Sequence, residues 1–105
     1  MKMAILYLTC ADDNEANKIS KVLLKKKLIV CAKKVSVSSS FFWEARVNQA
    51  QEVVLLLETE ERLFAEIEQE IKKLHSHKVF VLFSIPITKA AKGIKEWMRE
   101  GLRKN

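Results

Sequence analysis

The stretch that decides the fold is LIVCAKKVSVSSSFFWEARVNQAQEVVLLLET, residues 28–59. Val30, Ala32, Val35 and Val37 stand beside Lys33, Lys34 and Ser36, an imperfect alternation that suits a sheet with one wet face. Val53 to Leu57 is a solid apolar run, which suits a buried strand. Between them Phe41, Phe42 and Trp43 precede the segment Glu44 to Gln49, and no Pro interrupts it. The pattern predicts a long β-hairpin, with strands over Leu28–Ser40 and Glu52–Glu58 and a turn over Glu44–Gln49. Such a hairpin is longer than a domain of this size needs for its own core. Its edges and aromatics call for a partner.

Outward from the hairpin the chain alternates. Met3–Thr9 (MAILYLT) is apolar and predicts a buried first strand. Asp12 and Glu15 have the spacing of a capping box. The helix behind them runs to about Lys27, with Ala16, Ile19, Val22, Leu23 and Leu24 on one face and five lysines on the other and at its end. After the hairpin, Thr59 is suited to cap a second helix with Glu60 and Glu61 in its first turn. Leu63, Phe64, Ile67, Ile71 and Leu74 recur at helical spacing, and His75-Ser76-His77-Lys78 ends that helix. Val79–Ile87 predicts a fourth strand, with Pro86 near its terminus. Lys89–Leu102 predicts a last helix, with Trp97 as its core anchor. The order β-α-β-β-α-β plus a C-terminal helix is the ferredoxin-like α+β arrangement: a four-stranded antiparallel sheet with two helices on one face. Right-handed crossovers place strands one and three at its centre and strands two and four at opposite edges.

The totals narrow the function. At 105 residues and 49% hydrophobic content the chain is one globular domain over 1–105. No apolar run approaches about 18 residues, so no membrane span is expected. MKMAILYLTCADD lacks a small-residue cleavage site and predicts a strand, not a signal peptide. Cys10 and Cys31 form no CxxC, which points to free thiols and a cytoplasmic setting. The net charge of +6 fits a solubilising lysine coat or an anionic partner. Arginine is scarce, and this argues against nucleic acid, whose bidentate readers favour it.

No catalytic motif and no glycine-rich phosphate loop is present, so no catalytic or organic-cofactor residues are expected. Asp12 and Asp13 fit a helix N-cap better than an acid–base pair. His75 and His77 stand two apart; on a strand that spacing puts both imidazoles on one face, and at a helix end it does not. A thiolate beside them would suit copper or zinc. Cys31 is on an edge strand and the fourth strand on the other edge, so a site shared between subunits is needed to combine them. Cys10 fits a small buried residue. Phe41, Phe42 and Trp43 are consecutive and alternate between faces, which suits an interface or core role over base stacking.

The runs ILYLTCADDNEANKISKVLLKKKLIVCAKKV, FFWEARVNQAQEVVLLLETEERLFAEIEQEIKKLH, IPI and IKEWMREGL together resemble the CutA family, the divalent-cation tolerance proteins. Cys31, Trp43-Glu44, Glu52-Val53, Lys72–His75 and Trp97 are the most specific pieces. The resemblance implies a compact homotrimer in which long hairpins of neighbouring subunits pair edge to edge. It implies association with copper or another divalent cation and no enzymatic activity, and it links animal relatives to acetylcholinesterase processing. The trimer is similar in architecture to the PII signalling proteins, which suggests ligand binding at inter-subunit clefts.

The chain departs from the family where those clefts are lined. His75-Ser76-His77-Lys78-Val79-Phe80-Val81 stands where the family reads His-Pro-Tyr-Glu-x-Pro-Glu. The usual Gly after Trp-Glu is Ala45. Cys31, His75 and His77 are therefore the expected metal ligands, contributed across a subunit boundary. Lys33, Lys34 and Lys78 favour an anion, which leaves a PII-like small-anion or nucleotide sensor, or a structural trimeric scaffold, as the alternative readings.

Overall fold

The computed structural model describes residues 1–104. Strand β1 (Met3–Cys10) leads to helix α1 (Asp13–Lys25), then to β2 (Cys31–Trp43) and β3 (Arg46–Glu60). A 3-10 turn (Glu61–Leu63) opens helix α2 (Phe64–Leu74); strand β4 (Leu82–Pro86) and helix α3 (Ile94–Gly101) complete the chain. The sheet order is β2-β3-β1-β4, all neighbours antiparallel, with β1 and β3 central as the crossover argument requires. This is the ferredoxin-like α+β fold with a C-terminal helix.

Period-two alternation fixes which way the sheet faces. Ala4, Leu6, Leu8 and Cys10 of β1, with Val53, Leu55 and Leu57 of β3, are buried on one side against Ala16, Ile19 and Leu23 of α1 and Ile67 and Ile71 of α2. Each such Leu or Ile contributes about 1.5–3 kcal/mol by leaving water. Asp12 caps α1 by accepting from the Glu15 amide at 2.9 Å. Lys27 takes the left-handed conformation (φ 58) behind α1, and the Leu28 amide returns to the Leu23 carbonyl at 3.0 Å, so the helix stops where β2 must begin.

Among the described residues no helix lies over the other side of the sheet. Cross-strand partners point the same way, so the register puts Ile5, Tyr7, Val35, Leu56, Phe83 and Ile85 on this open face. Val35, Phe83 and Ile85 are exposed, and the Tyr7 and Phe83 rings stack at 6.1 Å.

The hairpin is longer and tighter than the sequence reading placed it. β2 continues through Phe41, Phe42 and Trp43, and β3 begins at Arg46. The turn is Glu44-Ala45 alone, with φ of 51° and 61°; both central residues at positive φ match the twist of a two-residue hairpin. β1 pairs only with Met3's partner Glu60 down to Cys10's partner Val53, so Arg46–Glu52 and their β2 partners project beyond the sheet. The molecule measures 45 × 27 × 20 Å, and the hairpin lies along a length of that order.

Other boundaries shift for local reasons. Thr59 caps no helix: it is the penultimate residue of β3, buried, and its hydroxyl donates to the Leu28 carbonyl at 2.6 Å. β4 starts at Leu82 and not Val79: the Ser76 and His77 amides go to the side chains of Glu15 and His75, and the Val81 carbonyl accepts from the Thr9 amide at 3.1 Å just ahead of the strand. The last helix starts at Ile94, behind Gly93 at φ 94. Its buried anchor is Met98, at 1% exposure; Trp97 is 48% exposed. Phe42 (73%) and Trp43 (63%) are likewise outside the core of the chain.

Candidate functional site

Three chain segments meet at one end of the sheet: the end of β1, the start of α1 and the exit of α2. Glu15 ties the last two together. Its carboxylate accepts from the Ala11 amide at 2.8 Å and from the Ser76 amide at 2.6 Å. Burial pushes the Glu15 carboxyl up, but these bonds and the neighbouring His75 outweigh it and hold the group below its ordinary range. His75, the C-cap of α2, sits with its imidazole 1% exposed. Its Nδ1 accepts from the His77 amide at 3.0 Å. Nε2 therefore carries the proton and donates to the Thr9 carbonyl at 2.8 Å. The ring stacks on Phe80 at 5.0 Å and lies 5.7 Å from the His77 ring.

Cys10, Glu15 and His75 place their donor atoms within 4.8 Å of one another, a spacing fit for a metal ion. In the arrangement seen, each of these donors is already committed within the chain, so an ion would have to displace protons and hydrogen bonds to enter. Burial, then the Glu15 and Asp12 charges, push the Cys10 thiol up to about 12, so it stays protonated. Both His75 nitrogens are engaged within the chain, and the Glu15 oxygens accept backbone amides. The cluster is a closed polar network that fastens the 75–81 segment to the sheet. Sequence reasoning found His75 but not its companions. The capping-box spacing pointed at Glu15, yet its long-range bond to Ser76 has no local signal.

Of the three expected ligands, His75 and His77 lie together, their rings 5.7 Å apart, and Cys31 lies apart from both. His77 is exposed next to His75. Cys31 opens β2, and Glu58, its partner on β3, is opposite Ile5, four residues along β1 from Thr9. Two strand spacings across and four residues along put Cys31 on the order of 16 Å from His75. A second copy is needed to bring it to the histidines. The Cys31 thiol accepts from Lys33 Nζ at 3.3 Å, and the same ammonium is bonded to Glu58. The Glu58 hydrogen bond, then Cys31, hold the Lys33 ammonium above its ordinary range. Lys34 pairs with Asp13 at 3.6 Å.

A cleft of about 670 Å³ opens between the projecting hairpin and the 75–81 segment. Phe41 and Trp43 line it from β2, Glu52 from β3, and His77, Val79 and Val81 from the segment that His75 anchors.

Fold and site together define a small ferredoxin-like α+β protein organised around an overlong hairpin and the cleft beneath it. The CutA1 divalent ion tolerance protein family matches residues 4–101, and the chain belongs to that family. It is similar to the divalent-cation tolerance protein CutA of Archaeoglobus fulgidus, 34% identical over 95 residues covering 90% of this chain and 93% of that one. The CutA of Pyrococcus horikoshii is 32% identical over 102 residues, covering 97% and 100%. Among solved structures, the A. fulgidus protein, described as periplasmic, superposes with a TM-score of 0.93 at 32% identity over 96% of this chain and 99% of that one. P. horikoshii CutA1 gives 0.91 at 31% identity, covering 96% and 99%.

Proposed function

We propose that the protein is a non-enzymatic, cytoplasmic, trimeric divalent-cation tolerance protein that takes up copper or another divalent ion at clefts between subunits. The observation that supports assembly is the open face of the sheet: Ile5, Tyr7, Val35, Leu56, Phe83 and Ile85 form an apolar surface over which no helix lies among the described residues. The projecting hairpin, with Phe42 and Trp43 exposed, gives the same surface an arm. Two free cysteines accord with a reducing compartment.

In this reading Cys31 of one subunit and His77 of another supply the donors. His75, its nitrogens already engaged, holds the His77 backbone in place, and it joins the ligand set only by releasing the His77 amide. The alternative, a PII-like anion or nucleotide sensor, rests on lysines of which Lys33 and Lys34 are already paired with carboxylates. Light scattering should return three times the chain mass, and a monomer at micromolar concentration overturns the assembly. Copper titration should show stoichiometric uptake that is lost in Cys31→Ser and in His77→Ala. Uptake indifferent to both changes removes this ligand set and leaves the trimer standing.

A further inference from the structure

We propose that the outward face of α1 is a docking surface for an anionic lipid bilayer. From Ala16 to Trp43 the chain carries seven lysines and no acidic residue or arginine. Ala16, Ile19 and Leu23 are buried and fix the inward side of α1. At about 3.6 residues per turn, Lys18, Lys21 and Lys25 then share an arc of about 60° on the opposite side, over about 10 Å of helix. All three are exposed, and they have no hydrogen-bond or ion-pair partner among the described residues; the same holds for Lys27 behind them.

The acids around this stripe do not cancel it. Asp13 is paired with Lys34, Glu70 with Lys26 and Lys73, and Glu66 with Arg103. Glu68 is two positions from Glu70, about 200° around α2, so it lies on the flank turned away from α1. The stripe therefore presents uncompensated positive charge and calls for a polyanion. Leu24 selects among polyanions. It is 42% exposed beside Lys21 and Lys25. The headgroup region of a bilayer accepts an aliphatic side chain, whereas a phosphodiester backbone gains nothing from one. The outward residues of α1 include no arginine fork and no aromatic ring for a base. Each lysine held near an anionic leaflet strengthens binding about fivefold. Because α1 packs on the buried side of the sheet, this face lies across the molecule from the open apolar surface that the proposed trimer covers. The inference uses neither the trimer nor the metal.

The test is co-sedimentation of the full chain with vesicles of phosphatidylcholine alone and of phosphatidylcholine with about 30% phosphatidylserine, beside titration of a labelled single-stranded RNA. Binding should need phosphatidylserine. It should fall as salt rises from about 0.15 to 1 M, where the screening length shrinks from about 8 to 3 Å. Combining Lys18→Gln, Lys21→Gln and Lys25→Gln, which keeps helix propensity, should weaken vesicle binding on the order of a hundredfold. Combining Lys89→Gln, Lys92→Gln and Lys95→Gln removes the same charge from exposed positions around the start of α3 and should weaken it by less than about threefold. Leu24→Ser should weaken it about fivefold. No binding to the phosphatidylserine vesicles, equal loss in the two triple variants, or binding indifferent to Leu24→Ser overturns the proposal. RNA held more tightly than vesicles at equal phosphate also overturns it, since the partner is then a nucleic acid.

Discussion

His75 is bonded to Thr9 across 66 positions of sequence: its Nε2 donates to the Thr9 carbonyl at 2.8 Å while its Nδ1 takes the His77 amide. One buried imidazole thus pins the exit of α2 to the end of β1 and sets the path of the segment that walls the cleft. His75→Ala removes both bonds, leaves a backbone carbonyl and an amide without protein partners, and opens a cavity against Phe80. It should cost about 2–4 kcal/mol. Urea denaturation should show a lower midpoint at an unchanged slope, and amide exchange at His77 should accelerate by more than at any residue of α1.

Ala45 stands at φ 61 in a two-residue turn whose other member, Glu44, is at φ 51. The left-handed conformation costs an L-residue roughly 1–2 kcal/mol, and glycine escapes that cost. Glycine also gains entropy in the unfolded chain, which offsets part of the benefit. Ala45→Gly should therefore stabilise the protein by about 0.5–1 kcal/mol. Thermal denaturation measures it, and a lower midpoint refutes the assignment of strain to this turn.

The layout of the fold was legible because its signals are local and periodic. MAILYLT and VVLLL marked the central strands, and Asp12 marked the first cap. What failed to show were features set by contact. Thr59 has the chemistry of a cap, but its hydroxyl is drawn to Leu28, 31 residues away, once β3 is paired. The hairpin turn carries no Asn-Gly or Asp-Gly, so sequence offered no reason to narrow six candidate residues to two. Trp97 and Met98 are adjacent on one helix, and only its docking angle decides that Met98 is inward. Cys10 and Glu15 join His75 through tertiary convergence, which no spacing rule encodes. Cys31 and His77 were identifiable as donor types, while the distance between them depends on strand order and on a second subunit.

Gly101 closes α3 against Val30, which leads into β2. A Cβ built on Gly101 would lie 2.7 Å from Val30 Cγ1 and 3.6 Å from Val30 Cβ. Valine is stiff at χ1 and cannot swing away cheaply. Gly101→Ala should thus destabilise by about 1–3 kcal/mol through overpacking, despite the better helix propensity of alanine. The double variant Gly101→Ala with Val30→Ala should recover part of the loss. Additive losses in the double variant would show that the clash is not the cause.

Cys10 and Glu15 give opposite pH limbs. Cys10 is 1% exposed and its pKa is raised from 9.0 to about 12, whereas Cys31 is half-buried at the start of an edge strand. At pH 8 a thiol reagent should modify Cys31 in the folded protein and spare Cys10, giving one fast thiol per chain. The raised pKa of Cys10 means that its contribution to stability is full below pH 9.0 and is lost as pH rises from there towards about 12, because the unfolded thiol ionises first. Glu15 has the reverse sign. Its folded pKa is lowered from 4.5, so its contribution is present above pH 4.5 and is lost as pH falls through the folded value. Denaturation midpoints across pH 2–11 should show both limbs. Glu15→Gln should flatten the acid limb alone, and Cys10→Ala the alkaline limb alone. An acid limb unchanged in Glu15→Gln would mean that the network joining Ala11, Ser76 and His75 does not hold the carboxylate in solution.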